Sequence, residues 1–193
     1  MGFPIRNLND LLRVEQRSTS MWPYPIKAFF IYTNKNKQFS SFIRDKFLWL
    51  DRVSGSVIFY LINTPPKEWL EVAQERTYWN HFIQMSGGNI RYDDRNVHEV
   101  ADYFGVNRSS IPCVILFRSL QESEYIALSG FGSLGLEELR LVFEKIFKIT
   151  EEFLRYPDRQ NQDYVRLLTA RLRPFKINTN FIHREDTNTT ATH

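Results

Sequence analysis

The sequence predicts an α/β protein built on a mixed sheet, and three observations carry that expectation. Two short, continuously apolar runs, KAFFIYT at 27–33 and VIFYLI at 57–62, flank a segment of helical periodicity. A further apolar run, headed by a proline in SSIPCVILFRS, is followed after the short SLQES loop by SEYIALSGF, which reads as an antiparallel hairpin. A short strand–helix–strand connection makes a right-handed unit with its two strands parallel. Parallel and antiparallel pairs together make the sheet mixed.

Taken in order, residues 1–25 read as an N-terminal extension. NLNDLLRVEQRS forms a short helix with Leu8, Leu11 and Leu12 on one face and Asn7 or Asn9 as its cap. Pro23 and Pro25 then stop it and favour an extended approach to the first strand. The run at 27–33 does not alternate, as expected of a central strand covered on both faces. NKQFSSFIRDKFLWL places Phe39, Phe42, Ile43, Phe47 and Leu50 at helical spacing. A turn around Gly55 leads into VIFYLI, a second buried strand of high β-propensity.

A helical segment between Lys67 and Met85 follows, carrying Trp69, Val72, Trp79, Phe82 and Ile83 and ended by Gly87 and Gly88. NVHEVADYFGV is a cleaner helix, with Val97, Val100, Ala101 and Phe104 on one stripe and Gly105 as terminator. Pro112 stands at the mouth of the next strand, where its missing N–H costs no ladder bond. After the hairpin, LGLEELRLVFEKIFKITEEFLRY is a long amphipathic helix closed by Pro157, with Glu137 and Glu138 suited to its first turn. A short basic helix around Tyr164, Leu167 and Leu168 follows, and the polar end FIHREDTNTTATH reads as disordered.

Composition narrows the functional classes. The chain has 193 residues, enough for one domain with extensions, and a formal net charge of +3 that does not by itself indicate a nucleic-acid binder. No apolar run approaches the roughly 20 residues of a membrane helix, so no membrane association is expected. Arg6, Asp10 and Arg13 interrupt the N-terminal apolar residues, so a signal-peptide core is not read there. Cys113 is the one cysteine, which excludes an internal disulfide and suggests a reducing, cytoplasmic location.

The order β–α–β–insert–α–Pro–β–β–α, with ADYFGVNRSSIPCVILFRS, then ALSGF, then LEELRLVFEKIF, resembles the thioredoxin superfamily. The resemblance implies a three-layer α/β/α sandwich over 26–155 with a helical insertion at about 64–95. Outside it stand the N-terminal extension, a basic helical extension at 156–178 and a disordered tail at 179–193. It also implies that Pro112 is the cis-proline facing the first strand–helix junction, and that Gly130 matches the small residue of the last strand. The two redox cysteines of the family fall near Thr33 and Asn36, and its buried carboxylate falls near Lys27. All three are missing, which removes the pair of thiols that dithiol exchange requires.

Cys113, directly after Pro112, is a candidate single-cysteine nucleophile for a thiol oxidoreductase or peroxidase if the first helix dipole and Lys35 or Lys37 depress its pKa. It also begins an apolar strand, where a packed thiol is the ordinary outcome. His81, His98, His183 and His193 lack metal-ligand spacing, so no metal is expected. SGFGSLG lacks the GxGxxG spacing and is followed by no Walker lysine, so no cofactor is expected either. Arg155, Arg159, Arg166, Arg171, Arg173 and Lys176, interleaved with Tyr156, Tyr164 and Phe175, are a candidate surface for nucleic acid or an acidic protein, the weaker alternative because Asp158 and Asp163 dilute the charge. The expectation that combines these readings is a redox-inactive thioredoxin-like domain acting as a protein-interaction or adaptor module. A protein partner would be held by Thr33, Asn34, Lys35, Asn36, Lys37, Ile111 and Pro112, with Trp69 and Trp79 as side contacts.

Overall fold

Local sequence and long-range pairing divide the work of building the sheet. In chain order the described residues form β1 (Gly2–Ile5), α1 (Leu8–Met21), β2 (Ile26–Ile31), α2 (Lys37–Val53), β3 (Val57–Ile62) and α3 (Asp94–Tyr103). These are followed by β4 (Cys113–Phe117), β5 (Glu124–Ser129), α4 (Leu136–Leu154), α5 (Asn161–Leu172) and β6 (Asn178–His183). The structure is a computed structural model and describes residues 2–21, 25–62, 93–156 and 160–183. The one helix or two broken ones expected between Lys67 and Met85, with Trp69 and Trp79, lie outside the described residues.

The chain is α/β, with a mixed sheet of six strands among the described residues in the order β1-β3-β2-β4-β5-β6. β2 and β3 are parallel, with Ile26 beside Val57 and Phe30 beside Leu61. β4 runs antiparallel to β2, placing Lys27 against Phe117 and Ile31 against Cys113. Every residue of β2, β3 and β4 is buried, which explains why their sequences do not alternate.

Alternate residues of the central strands feed two separate apolar clusters. Ala28, Phe30, Phe59 and Leu61 pack with Phe39, Phe42 and Phe47 of α2, Phe143 of α4 and Tyr164 of α5. Phe29, Ile31, Ile58 and Tyr60 pack with Leu11 and Val14 of α1 and with Val100 and Phe104 beside α3. Phe143 anchors the first cluster, stacking on Phe42 at 5.5 Å and Phe131 at 5.8 Å between ring centres.

Two terminal expectations require correction. Of the expected extension at 1–25, the described residues 2–21 belong to the fold itself: β1 pairs parallel with β3, and α1 covers one face through Leu11 and Val14. GFPI is short and contains a proline, so it carries no strand signal of its own. Its place comes from β3 and from Gly2, where a Cβ would come within 2.3 Å of the Phe59 ring. At the other end, residues 179–183 of the expected tail at 179–193 are not disordered: with Asn178 they form β6, which runs antiparallel to β5 along its full length. NTNFIH has little apolar periodicity because an edge strand is held chiefly by its backbone ladder. Residues 184–193 lie outside the described residues.

The helix boundaries follow local chemistry. Asn7 accepts a hydrogen bond from the Asp10 amide at 3.0 Å and caps α1. Asp93 caps α3 through the Arg95 amide at 2.8 Å. Glu138 reaches back to the Gly135 amide at 2.8 Å at the start of α4.

Candidate functional site

The turn between β2 and α2 is the place where the sequence concentrated its site residues. Thr33 and Asn36 close it on themselves: the Asn36 amide donates to the Thr33 carbonyl at 3.0 Å. The Thr33 amide and hydroxyl donate back to Asn36 Oδ1 at 2.8 and 3.1 Å. Asn36 is the residue that precedes α2, yet its side chain makes no forward cap to the helix. Thr33 is buried by this arrangement, whereas Asn34, Lys35 and Lys37 stand exposed at the tip.

The antiparallel register brings a second segment to the same end of the sheet. Because Ile31 pairs with Cys113, the residues leaving β2 and those entering β4 are neighbours. The Ile111–Pro112 peptide bond is cis. The turn after β5 packs beside it, with Pro112 Cδ 3.4 Å from where a Cβ on Gly132 would stand. Thr33 to Lys37, Ile111 and Pro112 therefore share one end of the sheet, while Trp69 and Trp79 lie outside the described residues.

Cys113 lies close in sequence to this surface but is turned away from it. Its side chain is fully buried and belongs to the cluster under α1 and α3, whereas α2 packs on the other cluster. The expected help from the α2 dipole and from Lys35 or Lys37 is therefore not available. Burial instead pushes the thiol pKa up to about 12, because a thiolate in an apolar core loses its hydration. At neutral pH the sulfur is a packed thiol.

At Lys27, near which the resemblance would have placed a carboxylate, the structure shows a buried lysine whose acid comes from a different element. Lys27 is 2% exposed and Glu15 of α1 is 6% exposed. Lys27 Nζ donates to Glu15 Oε2 at 2.5 Å, and the Tyr60 hydroxyl donates to Glu15 Oε1 at 2.5 Å. Glu15 is not among the site residues expected from the sequence. A signal was present, since Leu11, Val14 and Glu15 stand at i, i+3 and i+4 on one helix face. An acid on that stripe and a lysine inside an apolar strand each call for a partner.

The other candidates separate in space. Arg171 holds Glu152 in a two-point ion pair at 2.5 and 2.9 Å. Tyr164 is buried and shares a hydrogen bond with Thr150 at 2.5 Å, and Phe175 lies under Lys145 Nζ at 5.8 Å. Of the three aromatics in the basic stretch, Tyr156 alone is exposed. The stretch thus loses one of its cations to a carboxylate and two of its rings to packing. His98 and His183 lie on separate elements, and among the described residues no three His, Cys, Asp or Glu side chains are grouped to hold a metal ion. No described helix is long and apolar enough to cross a membrane. In comparisons with known proteins, no family model, no curated protein and no solved structure matches this chain.

Proposed function

We propose that the chain is a thioredoxin-like domain, an α/β/α sandwich without dithiol chemistry, that serves as a protein-interaction module. The observation that carries the reading is the β2–α2 turn itself. At the position where the resemblance implies an attacking and a resolving sulfur, Thr33 and Asn36 are hydrogen-bonded to one another. The chain's single cysteine is buried on the far side of the sheet from α2. The order β–α–β–α–β followed by α–β–β–α supports the family reading.

An extended peptide is the partner chemistry this end of the sheet favours. The exposed tip residues Asn34, Lys35 and Lys37 offer side-chain donors, and, because the Ile111 amide already donates to the Arg108 carbonyl at 3.3 Å, main-chain pairing with a peptide would fall to the Ile111 carbonyl. Trp69 and Trp79 are the proposed aromatic side contacts.

The test is selection of peptides from a random library on the intact chain, followed by mapping of the bound peptide on the amide spectrum. The expected result is that the perturbed amides centre on Thr33 to Lys37 and Ile111. Lys35→Glu should weaken binding, and Trp69→Ala or Trp79→Ala should weaken it further. Selected peptides that map to another surface, or that bind all variants equally, would remove the proposal.

A further inference from the structure

A second feature lies at the opposite end of the sheet and does not depend on the peptide-docking reading. β4 separates Pro112 from Arg118, a span of about 20 Å for an extended chain. At the Arg118 end a cavity of about 670 Å³ opens between the start of α5, the end of β6 and the residues flanking the β4–β5 connection. Small-molecule sites typically enclose about 300–1,000 Å³.

Two guanidinium groups border this cavity from elements distant in sequence, Arg118 and Arg166. Among the described residues Arg118 forms no ion pair within 4 Å, although its charge acts at longer range on Glu122; its guanidinium carbon lies 5.8 Å from the centre of the Phe153 ring. Arg166 approaches Asp163 at 3.9 Å, beyond hydrogen-bond distance. Arg140 and Arg171, by contrast, hold carboxylates at 2.7 and 2.5 Å. The planar forks of Arg118 and Arg166 therefore keep donors able to take a carboxylate or phosphate at two points.

The rest of the wall supplies a complementary surface. Val165 and Phe181, both half-buried, line it with apolar area. Glu124 Oε1 stands 3.7 Å from His183 Nδ1 and leaves one acceptor-rich edge. Inward, a cleft of about 20 Å³ continues towards Leu116 and Tyr164, room for no more than a water. A ligand body must therefore lie along the groove.

We propose that this cavity binds a small anionic molecule, with a phosphate or carboxylate group meeting Arg118 and Arg166 and an aromatic or other apolar body resting on Val165 and Phe181. The test titrates the ¹⁵N-labelled intact chain with phenyl phosphate, benzoate and inorganic phosphate. Saturable shifts at Val165, Arg166, Phe181 and His183 are expected with phenyl phosphate or benzoate, the tighter of the two identifying the headgroup. Arg118→Gln and Arg166→Gln should each weaken that probe by about tenfold or more. Arg166 has a side chain 79% exposed, so its variant folds even if the first does not. Absence of saturation up to about 10 mM, shifts confined to other surfaces, or unchanged affinity in Arg166→Gln would overturn the proposal. Inorganic phosphate binding as tightly as phenyl phosphate would overturn the role given to Val165 and Phe181.

Discussion

Titration of Cys113 offers the sharpest check on a non-catalytic thiol. Burial raises its pKa from an ordinary 9.0 to about 12. Below pH 9 a rise of this size reduces the thiolate fraction about a thousandfold. The side chain is also fully buried, so a reagent meets it only after an opening event, and the native rate scales with the population of open states. Labelling with a chromogenic disulfide at pH 8 should be at least about a thousandfold slower in native protein than in denaturant. The rate should also climb with urea in parallel with unfolding.

The same shift sets a sign for stability against pH. As pH rises the unfolded chain loses the thiol proton first, so the stabilisation is complete below about pH 9 and is lost as pH climbs towards about 12. This one group contributes a downward slope of about 1.4 kcal/mol per pH unit in that window. Cys113→Ala should remove that part of the alkaline slope while costing some stability at pH 7. Complete labelling of the native protein within the mixing time, with an apparent pKa below the ordinary thiol value, would refute the reasoning and revive a nucleophilic role.

Two further outcomes follow from buried geometry. Lys27→Met alone or Glu15→Leu alone should destabilise the protein by about 3–5 kcal/mol in urea unfolding, since each leaves a buried charge without its partner. The double variant should recover most of that loss, and a double variant as unstable as the sum of the singles would contradict the pairing. Gly130 has φ +106°, and a Cβ there would stand 2.7 Å from the Lys176 carbonyl oxygen. Gly130→Ala should therefore lower stability by at least about 1 kcal/mol, whereas a variant as stable as the parent would show that the turn between β5 and α4 relaxes freely.

The central elements were legible in the chain because their signals are local. KAFFIYT and VIFYLI are apolar on both faces, and the two core clusters of the structure use those alternate faces in turn. The spacing of Phe39, Phe42, Ile43, Phe47 and Leu50 specified α2, and that of Val97, Val100 and Ala101 specified α3, because helical periodicity needs no knowledge of the partner. The clustering of Thr33 to Lys37 with Pro112 was implied by the family resemblance and not by any local signal, and the register of β2 with β4 brings them to one end.

Tertiary structure decided what depends on residues far apart in the chain. GFPI becomes a strand because β3 accepts it, and NTNFIH because β5 does. Neither segment carries a periodicity strong enough to announce itself. Glu15 and Lys27 are 12 residues apart, and their pairing required α1 to lie across the face of β2. Cys113 was readable as a reactive or a packed thiol until the fold assigned it to the face opposite α2. Sequence determines which residues seek burial and in what local geometry. Burial on a chosen face, and with it the ionisation of the Cys113 thiol and the choice of acid that meets Lys27, is settled by neighbours that only the assembled sheet supplies.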